Sequence, residues 1–112
     1  MKISKFLNFV LYKPKQNKQA IRVRPWFKIN GDKTLRLFYK LNQDSVVFDV
    51  GGYEGNWASD IFSMYLCNIL IFEPVESFFN IIKKRFKQNR KINFFKFGLA
   101  GNNRFENIKT LF

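Results

Sequence analysis

The sequence predicts an α/β fold, a parallel sheet with alternating helices, and three observations predict it. Three short apolar runs, at residues 45–50, 69–73 and 92–97, are separated by segments whose apolar residues recur at helical spacing. Each of the first two runs includes an acid at or next to its end and is followed by glycine or proline. The resulting order is strand, helix, strand, helix, strand, and connections of that kind are right-handed crossovers between parallel strands.

Ser45-Val46-Val47-Phe48-Asp49-Val50 is expected to be a strand buried on both faces, because its apolar residues do not alternate with polar ones. Gly51-Gly52-Tyr53-Glu54-Gly55 reads as a tight turn, and Trp57, Ile61, Met64 and Tyr65 then mark one helical stripe. Ile69-Leu70-Ile71-Phe72-Glu73 is the second strand, and Pro74 ends it and suits a helix start. Val75, Phe78, Phe79, Ile82 and Phe86 form the stripe of the next helix, with Lys83, Lys84, Arg85 and Lys87 in its last turns, where cations match the helix dipole. Residues 92–97 are the third strand, and residues 98–103 a turn region.

The first part of the chain carries weaker signals. Residues 1–43 read as a basic N-terminal extension with a loop and a short helix. Residues 13–19 read as the loop, and Arg22-Val23-Arg24-Pro25-Trp26-Phe27 as an extended segment ending near Pro25. Asp32 is expected to cap a short helix with Leu35, Phe38 and Tyr39 on one face.

Composition excludes several classes. The 112 residues hold one cysteine and no histidine, which removes an internal disulfide framework, His-based metal sites and the commonest general base. No stretch reaches the ~18 apolar residues of a membrane span, and the basic start at residues 1–12 lacks a cleavage site, so a cytoplasmic protein is expected. The formal net charge of +12 favours polyanions in general, but Lys, Asn, Ile and Phe are all abundant, which also fits AT-rich codon usage. Six of the nine residues 83–91 are basic, and a solvated, dipole-matched helix end is favoured there over a nucleic-acid patch. Cys67, between a helix and a strand, reads as a small buried hydrophobe.

The chemistry is concentrated in Asp49-Val50-Gly51-Gly52-Tyr53-Glu54-Gly55, a D-x-G-x-x-x-G turn between a strand and a helix. Glycines there allow positive φ angles and close approach of a ligand. Ligands of open α/β sheets bind outside the carboxyl ends of the strands, where Asp49 stands. An acid in place of the first glycine of a dinucleotide motif would repel a pyrophosphate. It would favour a ligand with an amine and a sulfonium, and S-adenosylmethionine has both. Glu73, 24 positions later at the end of the second strand, stands where the fold's ribose-binding acid is expected.

Val47-Phe48-Asp49-Val50-Gly51-Gly52-Tyr53-Glu54-Gly55-Asn56-Trp57 resembles the first motif of the FkbM-like methyltransferases, and Ile71-Phe72-Glu73-Pro74 resembles their E-P signature. The resemblance spans about residues 44–105 and implies a partial Rossmann-like, class I methyltransferase fold that binds S-adenosylmethionine. It implies cofactor contacts for Asp49, Gly51, Gly52, Gly55 and Glu73. It also implies O-methylation of a sugar or small-metabolite hydroxyl, with a small molecule or glycan as partner. The family's sheet is larger than the three strands read here, so residues 44–112 are expected to be the N-terminal half of the domain and to be incomplete. The alternatives are an RNA methyltransferase, from the charge, and a non-catalytic remnant or half-domain, from the missing strands. Tyr53 and Glu54 lie in the turn without an assigned role, and no catalytic base is named.

Overall fold

The computed structural model describes residues 17–109, which fall into two compact units divided after Phe38. The basic start at residues 1–12 and most of the 13–19 loop lie outside the described residues.

In the first unit, helix α1 spans Lys18–Lys28. Asn17 caps it, its side chain accepting the Gln19 N–H at 2.9 Å. This corrects the extended reading of residues 22–27. Val23 and Trp26 are the half-buried residues of this stretch, and they stand three apart, a helical spacing. Pro25 removes one ladder donor without ending the helix, and its carbonyl still accepts the Ile29 N–H at 3.3 Å. Asp32 does not cap a helix either. It accepts the Trp26 indole N–H at 3.1 Å and pairs with Arg36 at 3.2 Å, and residues 29–37 are turns. Leu35 and Phe38 are 58% and 64% exposed, so the expected apolar face is absent. Gly31 is needed in this turn, because a Cβ there would stand 2.3 Å from the Trp26 ring.

The second unit is α/β with a partial Rossmann-like topology. Its elements are β1 (Val46–Val50), α2 (Asn56–Tyr65), β2 (Asn68–Phe72), α3 (Glu76–Phe86) and β3 (Ile92–Phe95). The three strands pair in parallel in the order β1-β2-β3. Two successive right-handed crossovers in one direction place both helices on the same face of the sheet.

The register shows the consequence. Val47, Asp49, Ile69, Ile71, Ile92 and Phe94 share the helix-covered face. Ile69 and Ile71 are fully buried there, beside Ala58 and Ile61 of α2 and Ile82 of α3. Each such isoleucine contributes about 1.5–3 kcal/mol through burial. Phe79 of α3 meets Phe94 edge-on at 5.8 Å. The α2 stripe differs from expectation at two positions: Ala58 joins Ile61 in the core, and Met64 is 43% exposed.

The opposite face has no helix among the described residues. Val46, Phe48 and Val50 are each about 60% exposed, which corrects the expectation that β1 is buried on both sides. Phe72 is sheltered on this face by Phe48, Phe95 and Phe97, with ring centroids 5.2–5.6 Å away. Cys67, leading into β2, is fully buried, and burial pushes its thiol pKa up. No helix among the described residues is long and apolar enough to cross a membrane.

Candidate functional site at the carboxyl ends of β1 and β2

The glycine turn leaves the end of β1 and is tied down by the end of β2. The N–H groups of Gly51 and Gly52 both donate to the Phe72 carbonyl, at 2.8 and 3.3 Å. Gly55 N–H donates to the Gly52 carbonyl at 2.7 Å, closing the loop before α2 begins. Gly51 and Gly55 have φ of +85° and +78°, in the left-handed region that disfavours a Cβ.

The three glycines do different work. A Cβ on Gly52 would stand 2.2 Å from Ile71 Cγ2, and one on Gly55 would stand 2.7 Å from the Phe86 ring. Both positions press the turn onto the hydrophobic core. A Cβ on Gly51 would meet nothing within 4 Å. Gly51 is therefore the point where the turn borders open space, and an approaching ligand meets backbone there.

Glu73 follows β2 directly, and its backbone N–H donates to the Phe95 carbonyl at 3.0 Å. Its side chain is the clamp of the site. Oε2 accepts the Tyr53 N–H and Oε1 accepts the Val75 N–H, both at 2.8 Å. The residue is 5% exposed. A carboxylate has about four acceptor positions, so two such bonds leave capacity for ligand hydroxyls. The sequence placed Glu73 correctly at the strand end but carried no sign of this clamp. Tyr53 sits at φ +49°, a conformation uncommon for a tyrosine and unreadable from its identity. Its ring packs on Phe78 at 4.3 Å while half of the residue remains exposed. Tyr53 and Phe78 thus form an aromatic wall beside the turn.

Asp49 is 9% exposed and lies beneath the turn, its Oδ2 3.6 Å from where a Gly52 Cβ would stand. The structure therefore brings Asp49, Gly51, Gly52, Gly55 and Glu73 to one end of the sheet, with Gly51 facing outward and the other four buried. Glu54 is half-buried in the same turn. Trp57 is half-buried at the start of α2, and Phe72 packs within the sheet. No cluster of metal-ligating side chains exists among the described residues.

Beyond Glu73, the residues Pro74, Phe97, Leu99, Asn103, Phe105 and Ile108 border an open recess of about 800 Å³. The recess adjoins the carboxyl ends of β2 and β3 rather than Gly51. Lys96, on its border, pairs with Glu76 at 2.6 Å, and this contact holds the Glu76 carboxyl below its ordinary pKa.

No family model matches this sequence, and no curated protein matches it. Among solved structures the chain is similar to the MccD protein, known from a crystal structure, at 16% identity and a TM-score of 0.42. The match covers 64% of this chain and 29% of that one, so this chain spans less than a third of MccD.

Proposed function

We propose that residues 44–112 carry the cofactor-binding half of an S-adenosylmethionine-dependent methyltransferase of the FkbM-like kind. The observation that carries this reading is the placement of two acids, Asp49 and Glu73, at the ends of adjacent parallel strands around a glycine turn that opens at Gly51. The residues present fit the donor. No base lies between Asp49 and Glu73 in sequence, and an acidic surround suits a ligand bearing an amine and a sulfonium. Gly51 lets that ligand reach the backbone, Glu73 has acceptor capacity for ribose hydroxyls, and Gly52 and Gly55 hold the turn in register with the core.

When bound, S-adenosylmethionine supplies a methyl group already activated for displacement. The chain's own part is to orient the donor and keep water from it, and alignment of this kind is worth about 7–11 kcal/mol in well-oriented systems. The acceptor consistent with the resemblance is a hydroxyl on a sugar or small metabolite.

A second reading is a half-domain that binds the donor without catalysing transfer. The exposed β1 face, with Val46, Phe48 and Val50 about 60% exposed, favours it.

Calorimetric titration with S-adenosylmethionine, S-adenosylhomocysteine and NAD tests the site. Binding of the first two, no binding of NAD, and a loss of at least tenfold in Asp49→Ala are expected. Equal affinity for NAD, or no binding of either sulfur ligand, overturns the reading. Methyl transfer to a hydroxyl acceptor then separates the enzyme from the half-domain.

A further inference from the structure

The bases of this protein are segregated, not scattered. Residues 1–38 hold ten Lys and Arg against one acid. In the second unit, residues 83–91 hold six bases and no acid, while the remainder of residues 39–112 holds four bases against seven acids. Four of those acids, Asp49, Glu54, Glu73 and Glu76, lie at the carboxyl ends of the strands. Helix α3 runs back from that end, and in its last turn Phe86 and Arg85 reach Gly55 and Asn56 while Lys83, Lys84 and Lys87 stay exposed. A codon bias raises the number of lysines but does not sort them by position.

The structure also divides the six bases by role. Lys91 donates to the carbonyls of Leu66 and Gln43, at 2.8 and 3.0 Å, and is part of the scaffold. Arg85 donates to Asn56 at 2.8 Å and lies over the Phe86 ring. Lys83, Lys84, Lys87 and Arg90 are exposed, and none of the ion pairs among the described residues uses them. Lys83, Lys84 and Lys87 stand one and three to four residues apart on the helix surface turned away from buried Ile82 and Phe86.

Two of these cations, Lys87 and Arg90, flank a groove. Lys87, Arg90, Asn93, Phe94 and Phe95 border an open hollow of about 270 Å³ along the outer edge of β3, the edge without a strand partner among the described residues. Lys87 and Arg90 supply charge at its rim, Asn93 supplies amide donors and acceptors, and half-buried Phe94 and Phe95 supply aromatic surface. A cationic groove with aromatic side chains is the chemistry that holds single-stranded nucleic acid, through phosphate contacts and base stacking. An anionic membrane requires a stripe of apolar side chains beside the cations on one helix face, and the outer face of α3 around Lys83, Lys84 and Lys87 offers Asn80 and a single exposed apolar residue, Ile81.

We propose that the last turns of α3 and the outer edge of β3 form a docking surface for single-stranded nucleic acid, argued from residues other than those of the cofactor reading. Lys83, Lys84, Lys87 and Arg90 contact phosphates, and the groove beside β3 takes a base.

The test uses the full chain and a fluorescein-labelled oligouridylate, titrated from low to high salt. Four phosphate contacts to a single strand contribute a slope of about −3 in log affinity against log salt. The variant with Lys83→Gln, Lys84→Gln, Lys87→Gln and Arg90→Gln is expected to lose most of that slope and about tenfold or more in affinity at moderate salt. A control with Arg22→Gln, Arg24→Gln, Lys28→Gln and Lys33→Gln removes the same charge from the other unit and is expected to lose clearly less. In the unmutated chain, the oligonucleotide is expected to protect Lys83, Lys84 and Lys87 from acylation. Equal losses in both variants, no oligonucleotide binding, or no protection of these lysines overturns the proposal. So does binding to phosphatidylserine vesicles that exceeds binding to the oligonucleotide. Calorimetric titration of the same variant with S-adenosylmethionine keeps this outcome separate from that of the cofactor site.

Discussion

Glu73 Oε2 accepts the backbone N–H of Tyr53 at 2.8 Å, so an acid at the end of β2 fixes a residue in the turn after β1. Its other oxygen holds Val75, and the same side chain therefore sets both the glycine turn and the entry to α3. Any ligand role for Glu73 is built on this structural one.

The two roles separate by mutation. Glu73→Ala leaves the Tyr53 and Val75 N–H groups without their acceptor, and a destabilisation of about 1–3 kcal/mol is expected in denaturant unfolding. Donor affinity should fall more than stability accounts for. A variant that is less stable but, while folded, binds S-adenosylmethionine as tightly as the original chain assigns Glu73 to the turn alone.

The glycines should respond in two ways. Gly52→Ala forces a Cβ to 2.2 Å from Ile71, and Gly55→Ala forces one to 2.7 Å from Phe86 at a φ of +78°. Overpacking of this kind costs typically 1–3 kcal/mol, so both should lower the unfolding midpoint. Gly51→Ala meets no atom and carries only the penalty of its φ of +85°, about 1–2 kcal/mol. It should fold and lose donor binding. Full donor affinity in Gly51→Ala would remove Gly51 from the site.

The uncovered sheet face has a measurable signature. Val46, Phe48 and Val50 expose apolar surface beside the Phe72 cluster, and a dye that binds such surface should fluoresce with the folded chain. Replacing Val46 and Val50 by Thr keeps β-branched residues in the strand and should reduce the dye signal with little change in far-ultraviolet circular dichroism.

Cys67 should be inert in the folded protein. Burial raises its thiol pKa above the ordinary 9.0, so the folded chain keeps a proton that the unfolded chain releases. Its contribution to stability is therefore intact below about pH 9 and declines as pH rises above the unfolded value. Alkylation at pH 8 should be slow in water and fast in denaturant, and rapid labelling of the native chain would contradict its burial.

The sequence by itself determined the alternation of strands and helices in the second unit, because buried strands read as apolar runs and α3 repeats its apolar residues at helical spacing. It also located Asp49, the glycine turn and Glu73, since acids and glycines at strand ends are local signals. Residues 22–27 misled, because Val-x-x-Trp spacing and strand-like alternation coincide over so short a stretch and Pro25 read as the end of an extended segment. Only the tertiary structure decided which face of β1 is covered, because that depends on both crossovers turning the same way. Only it showed that Gly52 and Gly55 serve the core while Gly51 faces outward, that Glu73 clamps Tyr53, and that Lys91 and Arg85 differ in role from their basic neighbours. Each of these is a contact between residues distant in sequence, and local composition carries no record of such a contact.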